Sequence, residues 1–212
     1  MKTIIKLIFI SVFINLNAQS PIITLYNSGE YGEIENAYYK DLDSIHNKYE
    51  GTWLYTNNTD TLKVKLRKRL MVYTSNHSNN FYEDELIGEY QYIENGIEKV
   101  NTLDNFMTEY EDCSDYNLYA YTLQRKNSIP KCNECADDEK RLVLAINEPS
   151  LRHLSGLRDE FILRHYVENG VEKLKVWFHF YAGNIVANKD THELSDINSF
   201  SVPYGEYTLT KQ

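Results

Sequence analysis

The sequence predicts an all-β protein with one short N-terminal helix, its strands forming an antiparallel up-and-down β-barrel. Three observations carry that expectation. Leu62, Val64 and Leu66 alternate with Lys63, Lys65 and Arg67, the period-two pattern of a strand with one wet face. Two Asn-Gly pairs, Asn95-Gly96 and Asn169-Gly170, sit between apolar or β-branched runs, and Asn-Gly tolerates the positive φ that two-residue hairpins need. Tyrosine supplies 18 of the 212 residues, against 8 Phe and 2 Trp, an excess that suits pleated, half-buried surfaces.

Taken in order, residues 1–18 read as a signal peptide. Lys2 and Lys6 make a basic start, Leu7 to Ile14 is apolar apart from Ser11, and Ala18 offers a small residue before Gln19. That run is about ten residues, too short for a hydrocarbon core that needs about twenty. Residues 19–212 are expected to form one domain. Ile34, Tyr38, Leu42, Ile45 and Tyr49 fall at helical spacing, which predicts a helix over 33–49 ended by Gly51. Strands are expected near 52–57, 61–66, 86–93, 97–103, 118–124, 141–146, 161–168 and 171–181, with a last one at about 204–210. Eight or nine strands of this spacing fit a barrel or a sandwich, and closure favours the barrel because it leaves no exposed edge.

An internal echo organises the strands. Tyr92-Ile93-Glu94-Asn95-Gly96-Ile97-Glu98-Lys99 returns as Tyr166-Val167-Glu168-Asn169-Gly170-Val171-Glu172-Lys173. The halves would be two four-strand meanders, about 51–103 and 116–181. A two-residue turn at Asn169-Gly170 places Phe161, Leu163 and His165 on one face with Leu174, Val176 and Phe178. The same alignment puts Glu89 and Gln91 on that face of the first hairpin, whereas its apolar face carries Leu86, Gly88, Tyr90 and Tyr92. A one-residue shift exchanges the faces, so sequence leaves this choice open.

Composition excludes several classes. With 42% hydrophobic and 25% charged residues the chain is neither disordered nor collagen-like. The formal charge of -9 becomes -11 once Lys2 and Lys6 leave with the leader, which disfavours nucleic acid because phosphate binding needs clustered Lys and Arg. No stretch reaches membrane-span length. No Gly-x-Ser-x-Gly elbow or phosphate-binding glycine loop occurs, and His192-Glu193 lacks the second His of a zinc protease motif. Neither a catalytic residue nor a cofactor is assigned.

Gly51-Thr52-Trp53 directly after the expected helix resembles the opening of lipocalin-like barrels. That resemblance implies a Trp across the closed end of the barrel and a cup for small apolar ligands, and it carries over only to Gly51 and Trp53. Across most of the mature chain the sequence also resembles a family of uncharacterised exported proteins from Bacteroidetes-type bacteria. This rests on Asn17-Ala18-Gln19, Tyr39-Lys40-Asp41, Gly51-Thr52-Trp53, Gly88-Glu89-Tyr90-x-Tyr92 and Tyr207-Thr208-Leu209-Thr210-Lys211. It implies architecture and export and supplies no mechanism.

Cys113, Cys132 and Cys135 are the disulfide candidates. In an oxidising compartment, a bridge from Cys113 to Cys132 or Cys135 would add about 3 kcal/mol. Cys132-Asn133-Glu134-Cys135 as a redox pair, or a zinc site with His153, are the competing readings. Acidic runs on either side, Glu109 to Asp115 and Glu134 to Glu139, read as solvated loops rather than as a calcium site. The leading functional expectation is an exported, non-catalytic barrel that binds a small apolar ligand, lined by Trp53, Tyr55, Tyr90 and Tyr92. Its alternatives are a protein-interaction module with a filled barrel and an uncharacterised barrel enzyme.

Overall fold

The computed structural model describes residues 20–26, 29–76, 78–157, 159–179, 185–197 and 199–212. The expected signal peptide lies outside the described residues. In chain order the strands are β1 (Ile22–Thr24), β2 (Tyr38–Lys40), β3 (Gly51–Asn57), β4 (Asp60–Ser75), β5 (Asn80–Glu94), β6 (Ile97–Asn101) and β7 (Leu118–Arg125). They continue with β8 (Lys140–Ile146), β9 (Leu154–Ser155), β10 (Glu160–Glu168), β11 (Val171–His179), β12 (Ala187–Asn188) and β13 (Gly205–Lys211).

Eight of these close into a ring. β3, β4, β5, β7, β8, β10, β11 and β13 pair in that order, every neighbour antiparallel, and β13 returns to β3 through Thr210–Leu54 and Lys211–Trp53. The expected up-and-down barrel is therefore present. β6 pairs only with β5 and stays outside the ring. The first expected half thus gives three ring strands, the second gives four, and β13 supplies the eighth.

The Asn-Gly turns form as their chemistry demands. Asn95 and Asn169 have φ of 50° and 51°, Gly96 and Gly170 of 75° and 79°, the two consecutive positive values of a type I′ turn. Their settings differ. In the β10–β11 hairpin His165 pairs with Leu174 and Leu163 with Val176, and this face is the core. In the β5–β6 hairpin an extra residue, Lys99, shifts the register between Tyr92 and Ile93, but β5 pairs with β4 without a break from Glu85 to Ile93, and Leu86, Tyr90 and Tyr92 face inward. Tyr92 is buried, whereas Tyr166 pairs with Lys173 on the outward face. The two echoed segments thus turn opposite faces to the core, β5 through its pairing with β4 while β6 stays outside the ring.

No helix spans 33–49; the described residues contain only short 3₁₀ turns and no α-helix. Tyr38–Lys40 is a strand instead, paired in parallel with β1 and β5. Asn36 and Ser44 take φ of 57° and 53°, which interrupts any continuous helix. The Asp41 carboxylate accepts hydrogen bonds from the Ile45 and His46 amides, ordering a local turn that ends in the 3₁₀ turn His46–Lys48. Spacing that looked helical was a tie between a strand and a turn.

One cluster of buried side chains runs through the barrel among the described residues. Trp53 and Tyr49 close the end where β3 begins: Trp53 Nε1 donates to Tyr49 O at 2.7 Å, and Lys211 Nζ lies 5.3 Å from the Trp53 ring. Leu62, Leu66, Tyr90, Phe161, Leu174 and Leu209 fill the middle. At the other end Phe200 and Val202 join the same core, with Phe200 against Phe178. The segment before β13 is thus a plug in the barrel mouth.

Candidate functional site

Two loops clothe the outside of the barrel and decide where a surface site can form. Residues 126–139 lie over β8, β10 and β11, where Cys132 and Cys135 pack on Val143, Ile162 and Trp177. These two cysteines form the disulfide, with Cα atoms 5.4 Å apart, and Cys113 is free. The bridge expected from Cys113 does not form, because Cys113 lies in the 3₁₀ turn Cys113–Asp115 beside β5, away from the loop on β8, β10 and β11. Both bridged cysteines are shut away from solvent, at 1% and 3% exposure, which fits a clasp better than a redox pair. The acidic runs stay apart as well: Glu134 pairs with Lys175, Glu139 with Arg164 and Asp137 with Lys126. Among the described residues no three His, Cys, Asp or Glu side chains converge as they would for a metal ion.

The second loop, residues 102–117, is a strap across the outward face of β4 and β5. Arg67 holds it by donating to Phe106 O and Thr108 O, and by pairing with Glu109 at 2.8 Å. Arg69 pairs with Glu109 and with Glu85. The basic side of β4, read in sequence as a solvated strand face, is therefore the dock for this strap.

Beside the strap the barrel wall opens. β5 and β7 pair only at Ile87–Tyr119 and Gly88–Leu118. A bulge between Ala120 and Thr122 then breaks the regular register of β7, and beyond the gap β5 pairs with β2 instead. The seam holds a cavity of about 270 Å³ lined by Leu25, Tyr26, Tyr31, Glu83, Asp84, Glu85, Cys113, Ala120, Tyr121 and Thr122. A second cavity of about 710 Å³ under the strap shares Glu85 and Cys113 and adds Arg69, Glu109, Glu111 and Asp112 among its walls.

Three consecutive acids of β5 meet here, each with 7% exposure or less. Asp84 is a structural pin: its carboxylate accepts from Tyr38 OH, the Asp41 amide and the Met71 amide. It thereby ties the N-terminal segment to the β4 bulge, where Met71 holds a φ of 53°. Glu83 accepts from Tyr31 OH at 2.6 Å, and burial pushes its carboxyl up. Burial also pushes Glu85 up to about 7, with Arg69 opposing and Glu83, Asp112 and Glu109 adding to the rise. The Cys113 thiol is pushed up to about 12 by burial and then by Glu85 and Glu83, so it rests protonated and is a poor nucleophile. On the far wall Tyr26 OH meets His46 Nε2 at 2.6 Å. His46 is fully buried, and burial lowers its pKa. Its Nδ1 lies 3.9 Å from Asp41. The cleft thus sets three buried acids beside Tyr26, Tyr31 and a protonated thiol.

The residues singled out from sequence lie elsewhere. Trp53, Tyr90 and Tyr92 are buried members of the core, and Tyr55 packs edge-on against Tyr207 at 5.1 Å. Tyr90 OH donates to Asn147 O at 3.1 Å, and its ring meets Phe161. These side chains fill the barrel where a cup was expected, and none of them lines the seam or strap cavity. Cys113 alone among the singled-out residues reaches the seam. The acids Glu83, Asp84 and Glu85 escaped notice, although charge on both faces of an otherwise apolar strand was a signal that the outward face is covered.

No curated protein and no solved structure matches the chain. A family model does match it, over residues 1–212. The chain belongs to that family, a family of unknown function, DUF6705.

Proposed function

We propose that this is an exported recognition module whose barrel is structural and whose seam cleft binds a cationic organic group, an amine or a guanidinium. The observation that carries this reading is the run Glu83-Asp84-Glu85, buried at a gap in the barrel wall and faced by Tyr26 and Tyr31. Carboxylates in a poorly hydrated cleft reward a cation more than they would at the surface, and tyrosine faces add a cation–π contribution. Export is supported by the leader-like first 18 residues and by the Cys132–Cys135 bridge, which suits an oxidising compartment. A lipocalin-like reading of the scaffold is supported by Trp53 at the start of the first ring strand and by Lys211 over its ring. The filled core argues for the interaction alternative over a cup ligand.

Calorimetry with n-butylamine and butylguanidinium, against butanol and butyrate, tests the cleft. Binding of the two cations alone, lost in Glu83→Gln/Glu85→Gln, is the expected result. Equal binding of butanol, or cation binding that survives the double substitution, would sink the proposal.

A further inference from the structure

We infer that Glu85 stores a proton in the empty cleft and gives it up when a cation enters, so that cation affinity climbs towards neutral pH. The inference rests on the cation-binding reading of the cleft and adds its regulation. It starts from the charges that face Glu85 from each packed element. Its own strand contributes Glu83, two residues back on the same face. The strap contributes Glu109, Asp112 and the Cys113 thiol, and the N-terminal segment contributes the Tyr31 hydroxyl, already given to Glu83. From β7 the uncharged Ala120, Tyr121 and Thr122 line the cleft. From β4 comes a single cation, Arg69, and it is shared: Nη1 lies 3.1 Å from Glu85 and Nε lies 3.3 Å from Glu109.

Arg67 takes part of Glu109 at 2.8 Å, but Arg69 is the one guanidinium in contact with Glu85, and Glu83, Asp112 and Glu109 all add negative charge there. Little of Glu85 reaches bulk solvent, its side chain being 5% exposed. Glu83 is compensated by hydrogen bonds from Tyr31 and Thr74, while the support for Glu85 is its Oε2 contact with the shared Arg69. Of the two buried glutamates, Glu85 is the one whose ionised form is poorly supported, so it is the one that keeps a proton. Its elevated carboxyl, at about 7, agrees with this placement. A cation in the seam supplies the missing positive charge, and the O–H bond of Glu85 then breaks with release of its proton to solvent. By linkage, affinity falls about tenfold for each pH unit below 7 and levels off above it.

Carbon-13 NMR of the glutamate carboxyls, assigned with Glu85→Gln, reads the stored proton directly. Calorimetry with n-butylamine in two buffers of different ionisation heat reads its release. The expected result is a Glu85 midpoint near 7 and release of about one proton at pH 6. Release should vanish in Glu85→Gln and persist in Glu83→Gln. A Glu85 midpoint in the ordinary carboxylate range overturns the inference, as does amine binding without proton release. Failure of the amine to bind at any pH, with Glu85 still titrating near 7, overturns the cation reading of the cleft and the coupling with it.

Discussion

Replacing Gly88 by alanine is expected to be among the costliest single-methyl changes in the molecule. Gly88 sits on β5 opposite Leu66 of β4 and Leu118 of β7. A Cβ there would lie 2.3 Å from Lys65 O and 2.6 Å from Leu66 Cδ2. The leucine tip can rotate aside, but the carbonyl belongs to the β4–β5 ladder and cannot. Reaching ordinary contact requires β5 to move from β4 by about 1 Å, which falls in the upper part of the overpacking range, about 3 kcal/mol. The entropy that alanine removes from the unfolded chain returns less than about 1 kcal/mol, leaving a net loss of about 2 kcal/mol. Urea unfolding followed by tryptophan fluorescence checks this, since Trp53 is fully buried. With a slope of about 2 kcal/mol/M the midpoint should fall by about 1 M at unchanged slope. Because Gly88 is also half of the β5–β7 seam, exchange at the Tyr119 amide should quicken. A midpoint within about 0.3 M of the parent would show that the two strands have slack there, and the close-approach argument would fail.

Three further outcomes are expected. Phe200→Ala removes part of the plug in the barrel mouth, where Phe200 meets Phe178 at 5.9 Å; it should cost about 3 kcal/mol and raise binding of an apolar dye, and unchanged dye binding would mean the mouth is sealed by other groups. Cys132→Ala/Cys135→Ala opens a four-residue loop, worth about 2 kcal/mol of chain entropy, and should alter emission from Trp177, on which both sulfurs pack; an unaltered spectrum would count against the clasp. Glu85 is raised to about 7 in the folded protein, above its unfolded value. The stabilisation from its buried neutral form is therefore full below pH 4.5 and is lost as pH rises through 7, on the order of 2 kcal/mol. Tm should fall between pH 5 and 8 and flatten in Glu85→Gln, whereas a parallel fall in both proteins would place the titrating group elsewhere.

The barrel was legible because its signals are local. Alternation in 61–66, Asn-Gly at two turns and the Phe161–Phe178 pairing each depend on a few neighbouring residues, and all appear at the expected places. The helix failed because periodicity cannot distinguish a helix face from a strand followed by a turn. Leu42, counted as core-facing, is 52% exposed, and the decisive partner of this segment is Asp84, more than forty residues away. The cysteine pairing failed for a similar reason. Loop entropy alone ranks a longer bridge as more valuable, but which side of the barrel each loop clothes is a tertiary fact. The seam was not legible at all, since it exists only because β5 and β7 pair at just two positions, which is a tertiary fact. Trp53, Tyr90 and Tyr92 lie in strands as expected, the inward face of Tyr90 and Tyr92 being settled only by the pairing with β4, and the plug at the mouth comes from the least patterned part of the chain.

Closure through Trp53–Lys211 and Leu54–Thr210 also sets an order of events in folding. Every other ring pairing joins strands close in the chain, so a polypeptide released N-terminus first can curl a sheet early. It cannot seal that sheet until β13 arrives to join β11 to β3. Until then two long edges stand open, and open edges invite pairing with other chains. Such distant pairing belongs to the slow class of folding, milliseconds to seconds. The seven residues of β13 therefore act as a late lock: a chain shortened by them should keep its hairpins but lose cooperativity and solubility together.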